Sequence, residues 1–148
     1  MKSIKKSPFV AAGFFLGTLI FSAIFFANKN SVERYLFYFH SFENDQLCTE
    51  VRYLPKNPTQ GKIQLFVDEL LLGPMTNRYK SIFVRGTKVE FCTLEGNTLY
   101  VGLSSDALQT STDTENLRER VSLFKLNIVK KFTEIKTVLV YIDGKSAF

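Results

Sequence analysis

A chain of 148 residues has room for one ordinary domain, able to bury a core without metals or disulfides. Fifteen Phe and six Tyr with no Trp suit a domain built on packed sheets. The net charge of +5 does not point to nucleic acid: Lys2, Lys5 and Lys6 supply three of the 19 cations, and the 16 that follow meet 14 acids without forming a concentrated stripe.

The first element is an uncharged run of nineteen residues that begins at Phe9 and closes at Ala27. At about 1.5 Å per residue it spans ~28 Å, close to the ~30 Å of a hydrocarbon core. It reads as an uncleaved transmembrane signal anchor, through which the chain meets the membrane. The rival is a cleaved signal peptide. The run exceeds the usual core of about 7–15 residues, and Phe25 and Phe21 stand where cleavage after Ala27 or Ala23 wants a small residue. Gly13 and Gly17 have G-x-x-x-G spacing and read as lipid-facing. Short basic segments stay inside, so 1–8 is a cytoplasmic n-region. Residues 28–33 form a linker, and 34–148 an extracytoplasmic or periplasmic domain close to the inner membrane.

Residues 34–40 read as an aromatic strand covered on both faces. In 47–54, Leu47, Thr49, Val51 and Tyr53 alternate with Cys48, Glu50 and Arg52, a half-buried strand with its polar face outward, ended by Pro55. Pro58 and Thr59 open a helix in which Ile63, Phe66, Val67, Leu70 and Leu71 share one stripe. Gly73 supplies a left-handed C-cap and Pro74 stops the helix. Residues 75–86 are an irregular basic loop.

A hairpin follows, 88–94 with 98–103, turning at Gly96 and Asn97. Val89, Phe91 and Thr93 share a face, as do Leu99, Val101 and Leu103. After a polar stretch, Asp113 or Thr114 caps a second helix with Leu117, Val121, Phe124, Ile128 and Phe132 inward. The β-branched run 137–142 reads as a strand covered on both faces, and Asp143-Gly144 turns the chain out. The order β-β-α-β-β-α-β predicts an α+β domain, two helices packed on one mixed sheet, preceded by the transmembrane helix.

The residues do not assemble a reaction centre. His40 has no second His or Cys near it in sequence, and no Gly-x-Ser-x-Gly turn is present. Cys48 and Cys92 pair only if their faces meet, and otherwise stay as thiols. No catalytic, cofactor-binding or metal-binding residue is expected, and no cofactor.

The segments Leu70-Leu71-Leu72-Gly73-Pro74, Gly86-Thr87, Val101-Gly102-Leu103-Ser104 and Asp143-Gly144, with the Gly96 turn, carry a resemblance over 32–145 to the GerMN domain family. Two family features are missing: a proline where Arg85 stands, and an acid where Gly102 stands. The resemblance implies an envelope or spore-associated domain with structural or assembly roles and no catalytic residue. The expectation is a membrane-tethered, non-enzymatic interaction module that meets an envelope protein or another copy of itself, and no nucleic acid. Its contact surface is a sheet edge or the basic loop of Arg78, Lys80, Arg85 and Lys88. The alternative is binding of a cell-wall polymer, with Tyr35, Tyr53 or Tyr79 stacking on sugars.

Overall fold

The structure, a computed structural model, describes residues 8–27, 31–109 and 117–147, with side chains of the first stretch described for 12–23. Lys2, Lys5 and Lys6, residues 28–30 of the expected linker, and the helix cap expected at Asp113 or Thr114 lie outside the described residues, while the last two linker positions, Val32 and Glu33, already belong to a strand. The chain divides into two units, Met1–Ser31 and Val32–Phe148.

The first unit holds α1 (Pro8–Ala27), a 20-residue helix without a charge. Phe14 is 77% and Phe21 72% exposed. Among the described residues no helix is long and apolar enough to cross a membrane.

The second unit contains β1 (Val32–His40), β2 (Leu47–Pro55), α2 (Lys62–Leu72), β3 (Val89–Glu95), β4 (Thr98–Leu103), a 3₁₀ turn (Ser105–Leu108), α3 (Leu117–Lys131), β5 (Thr137–Ile142) and β6 (Lys145–Ser146). The class is α+β, but the expected single sheet is two. β1 and β2 form an antiparallel ribbon, and β3-β4-β5-β6 a mixed sheet with β4 and β5 parallel. The parallel pair follows from α3, which carries the chain back across the sheet before β5.

The ribbon stays separate because a side chain occupies the outer edge of β1. Tyr38 N–H donates to Asn127 Oδ1 at 2.8 Å, and Asn127 Nδ2 donates to the Tyr38 carbonyl at 3.0 Å. This amide, fully buried on α3, stands in for a neighbouring strand.

Neither strand expected to be covered on both faces is so covered. In β1, Tyr35, Phe37 and Phe39 point into the core while their alternates are exposed or half-buried. In β5, Val138, Val140 and Ile142 are buried, with Leu139 and Tyr141 half-buried and Thr137 exposed. The aromatic centre of the core is Phe66, stacked on Phe37 at 4.7 Å and edge-on to Phe132 at 5.5 Å between ring centroids.

The amphipathic spacing of α2 holds: Phe66, Val67, Leu70 and Leu71 are buried, with Ile63 against the core. Its N-cap is Gly61, three residues past Pro58. At Gly73 φ is positive as expected (+77°), but ψ of −176° is extended rather than left-handed helical. This backbone conformation requires glycine, and a Cβ there would also displace Ser81 Oγ, 2.6 Å away. The hairpin turn has positive φ at Gly96 but not at Asn97, the pattern of a type II′ turn.

A bulge in β3 corrects the expected face. Val89 lies opposite Leu103 while Phe91 lies opposite Gly102, so the two do not share a face. Phe91 moves to the open face, where its ring lies on Gly102 in the space a Cβ would take.

Glu33 ties β1 to both helices of this unit, accepting from Lys62 Nζ and Lys131 Nζ, each at 2.8 Å. The hydrogen bond from Lys131, then that from Lys62, holds its carboxyl down to about 2 from 4.5. A lowered folded-state pKa stabilises above the unfolded value and loses that contribution as pH falls. The denaturant midpoint of wild type should therefore exceed that of Glu33→Gln at pH 5, and the gap should close progressively between about pH 4.5 and 2.

Candidate functional site

The long segment between α2 and β3 is positioned by charges that the alternation of β2 misassigns. Glu50, Arg52 and Leu54 face inward, and Val51 and Tyr53 face out, the reverse of the expected orientation. Burial is affordable because the charges neutralise one another and saturate backbone groups. Arg52 Nε donates to Glu50 Oε1 at 2.8 Å, Nη1 donates to Glu69 Oε2 and to the Glu69 carbonyl, and Nη2 donates to the Gly73 carbonyl at 2.6 Å. The guanidinium thus satisfies carbonyls at the C-terminal end of α2, where a cation also meets the negative end of the helix dipole. Its plane lies 4.6 Å from the Phe37 ring centroid. Glu50 in turn accepts from the Met75 N–H at 3.0 Å, fixing the chain just past Pro74.

That anchoring distributes the four cations of the expected interaction loop. Lys80 is largely withdrawn: its ammonium donates to Asp45 Oδ1 at 2.8 Å, and its N–H donates to the His40 carbonyl. The Lys80 hydrogen bond holds the Asp45 carboxyl below the usual carboxylate range. Arg78 is exposed. Arg85 and Lys88 come together on one wall of a groove of about 610 Å³, flanking Gly86, whose φ is +104°. The opposite wall is α2, through Gln64, Asp68, Leu71 and Leu72. Arg85 also borders a neighbouring hollow of about 410 Å³ beside Phe42, Tyr79 and Phe83. Of the expected cations, Arg85 and Lys88 line the groove, Lys80 lines the neighbouring hollow with Arg85, and Arg78 lines neither.

The groove runs beside β3, the terminal strand of its sheet. Glu90, Phe91, Thr93, Leu94 and Glu95 are exposed, and Cys92 is half-buried. Burial, and secondarily the charge of Asp68, pushes the Cys92 thiol up to about 11, so it stays protonated at neutral pH. Cys92 and Cys48 are both free thiols.

The remaining sequence candidates are structural. His40 Nδ1–H donates to the Asp45 carbonyl at 2.7 Å across the β1–β2 turn. Ser104 Oγ accepts from the Lys88 N–H and donates to Asp106 Oδ2. Asp143 and Gly144, at φ of 51° and 70°, turn the chain into β6. Among the described residues no group of His, Cys, Asp and Glu is placed to hold a metal ion. Of the three tyrosines, Tyr35 is fully buried, Tyr79 packs against the core, and only Tyr53 is well exposed, at 65%.

A family model described as Germane, sporulation and spore germination, matches residues 25–148. This chain belongs to the Germane family. Its fold is similar to the tandem GerMN domains of the sporulation protein GerM from Bacillus subtilis, with a TM-score of 0.62 and 17% identity over 79% of this chain and 41% of that one. It is likewise similar to the first GerMN domain of that protein alone, with a TM-score of 0.57 and 17% identity over 76% of this chain and 85% of that one. The chain therefore spans about two-fifths of the tandem structure. No curated protein sequence matches it significantly.

Within the Germane fold of this chain, the Leu70–Pro74 segment is architectural, closing α2 onto Arg52. Of the two departures from the expected pattern, Gly102 is explained by the Phe91 ring lying over it, and nothing in the structure explains Arg85. Sequence reading missed Leu72 and Asp68 as groove residues. Their signal was the side of α2 opposite its core stripe, where Leu72 stays 65% exposed although apolar.

Proposed function

We propose that this Germane-family chain is a membrane-tethered, non-enzymatic interaction module of the cell envelope. The observation that carries the interaction reading is the α2–β3 face, where a terminal strand, an apolar groove wall and the Arg85–Lys88 pair adjoin. Free strand edges and grooves beside helices are the common seats of extended protein segments. The tether rests on the uncharged residues 9–27 and on exposed Phe14, Phe15 and Phe21 in α1. Lys2, Lys5 and Lys6 set the N-terminus in the cytoplasm and the domain outside the inner membrane.

The test is affinity capture of the tagged full-length chain after crosslinking in intact cells, wild type against Arg85→Glu and Arg78→Glu. Arg85→Glu should deplete a discrete protein partner, a second copy included, several-fold, while Arg78→Glu should leave it unchanged. Equal recovery from all three would remove the groove from the reading.

A second reading, binding of a wall polymer, is favoured by one observation. Phe91 and Tyr141 lie 5.9 Å apart between centroids on the open face of the mixed sheet, beside half-buried Tyr100. Aromatic rings exposed side by side on a sheet offer apolar faces for stacking on sugars. Co-sedimentation with purified cell wall that disappears in Phe91→Ala with Tyr141→Ala would favour this reading over the first.

A further inference from the structure

β3 ends its sheet, and among the described residues no backbone group outside the β4 side bonds to it. Its charges are arranged symmetrically. Cys92 lies opposite Val101, and Glu95 lies three rungs onward, opposite Thr98. In the other direction the bulge places Val89 and Glu90 together against Leu103. Lys88, bonded through its backbone to Ser104, therefore also lies three rungs from Cys92. Counted along the ladder, Lys88 and Glu95 fall on the same face as Phe91 and Thr93.

We propose that two copies of this chain associate through β3, pairing edge to edge and antiparallel about a two-fold axis at Cys92, a partner choice that rests on the interaction-module reading above. A two-fold axis there sets each Lys88 opposite Glu95 of the second copy, twice over. It also sets Leu94, 40% exposed in the single chain, beside Val89 of the second copy, and Phe91, 41% exposed, beside Thr93. No acid faces an acid in this register. Shifted registers lose both ion pairs, so the same charges that discourage indiscriminate edge pairing select this one. The contact is isologous and closes as a dimer. Confinement to a membrane raises the effective concentration of copies for so small an interface.

The test uses the full chain in membranes of expressing cells. With Cys48→Ser, Cys92 is the only thiol, since the sequence has two cysteines. Directly opposed residues of antiparallel strands lie about 4.5–5.5 Å apart at Cβ, within reach of a disulfide after small adjustment. Mild oxidation should give a dimer on a non-reducing gel. Because the thiol is half-buried, a second probe pairs Phe91→Cys in one tagged copy with Thr93→Cys in another, both otherwise free of cysteine. In either format Lys88→Glu alone and Glu95→Lys alone should each reduce the dimer about fivefold, from two like-charge pairs. The double exchange should restore it. No dimer with either probe, or a dimer indifferent to charge reversal, overturns the proposal. If dimers are absent while Arg85→Glu still depletes a captured protein, the module reading stands and the second copy is not its partner. If both fail, both readings fall.

Discussion

Replacing Arg52 with methionine should destabilise the Val32–Phe148 unit by about 3–5 kcal/mol, the loss typical when one partner of a buried ion pair is removed. Arg52 is 5% exposed and Glu50 8%, so Glu50 would be left as a buried charge without its guanidinium. The Glu69 and Gly73 carbonyls would lose their donor as well. Thermal unfolding should shift down by on the order of 10–20 °C for a domain of this size. Arg52→Lys should recover little, because a single ammonium does not reproduce a planar fork spanning Glu50, Glu69 and Gly73. Denaturant titration of the three proteins checks this. A loss below about 1 kcal/mol for Arg52→Met would mean that the network only decorates the fold.

The second large effect is expected at Asn127. Its amide closes the edge of β1 through Tyr38 and also donates to the Leu123 carbonyl at 3.0 Å. Asn127→Leu keeps the volume but leaves the Tyr38 N–H and carbonyl without partners, for a loss of about 2–4 kcal/mol. Asn127→Asp is the sharper test. A carboxylate still accepts from the Tyr38 N–H but stands against two carbonyls it formerly donated to, so its folded pKa is raised. Stability is then restored below the unfolded carboxylate value and lost as pH rises through the folded one. Asn127→Asp should approach wild type on acidification, whereas Asn127→Leu should not. Parallel pH dependence of the two variants would show that the amide does not act as a strand surrogate.

Both sites show where sequence reading succeeds and stops. The stripe of α2 and the Gly73-Pro74 stop were legible because they are local: a 3.6-residue period and a backbone that only glycine adopts. The inward face of β2 was not. Alternation of Leu47, Val51 and Tyr53 with Glu50 and Arg52 signals a polar outer face. The inversion comes from acceptors at Glu69 and Gly73, 17 and 21 residues away. The division into two sheets was hidden for the same reason, since Asn127 reaches Tyr38 across 89 residues. Phe91 misled through a bulge of one residue, which reverses a face without disturbing composition. Of the candidate site, the cations were visible as a loop, but the wall that makes two of them a groove combines Leu71 of the core stripe with Gln64, Asp68 and Leu72 beyond it.

The central claim is that the α2–β3 face is the contact surface of the module in the cell. Site-specific photocrosslinking in intact cells tests it most directly, with a photoreactive residue at Leu72 in the groove, at Thr93 on the strand edge, and at Tyr53 on the outer face of the ribbon. Discrete protein adducts from positions 72 and 93, and none from 53, are predicted. Adducts confined to position 53, or wall fragments alone from all three positions, would contradict the account.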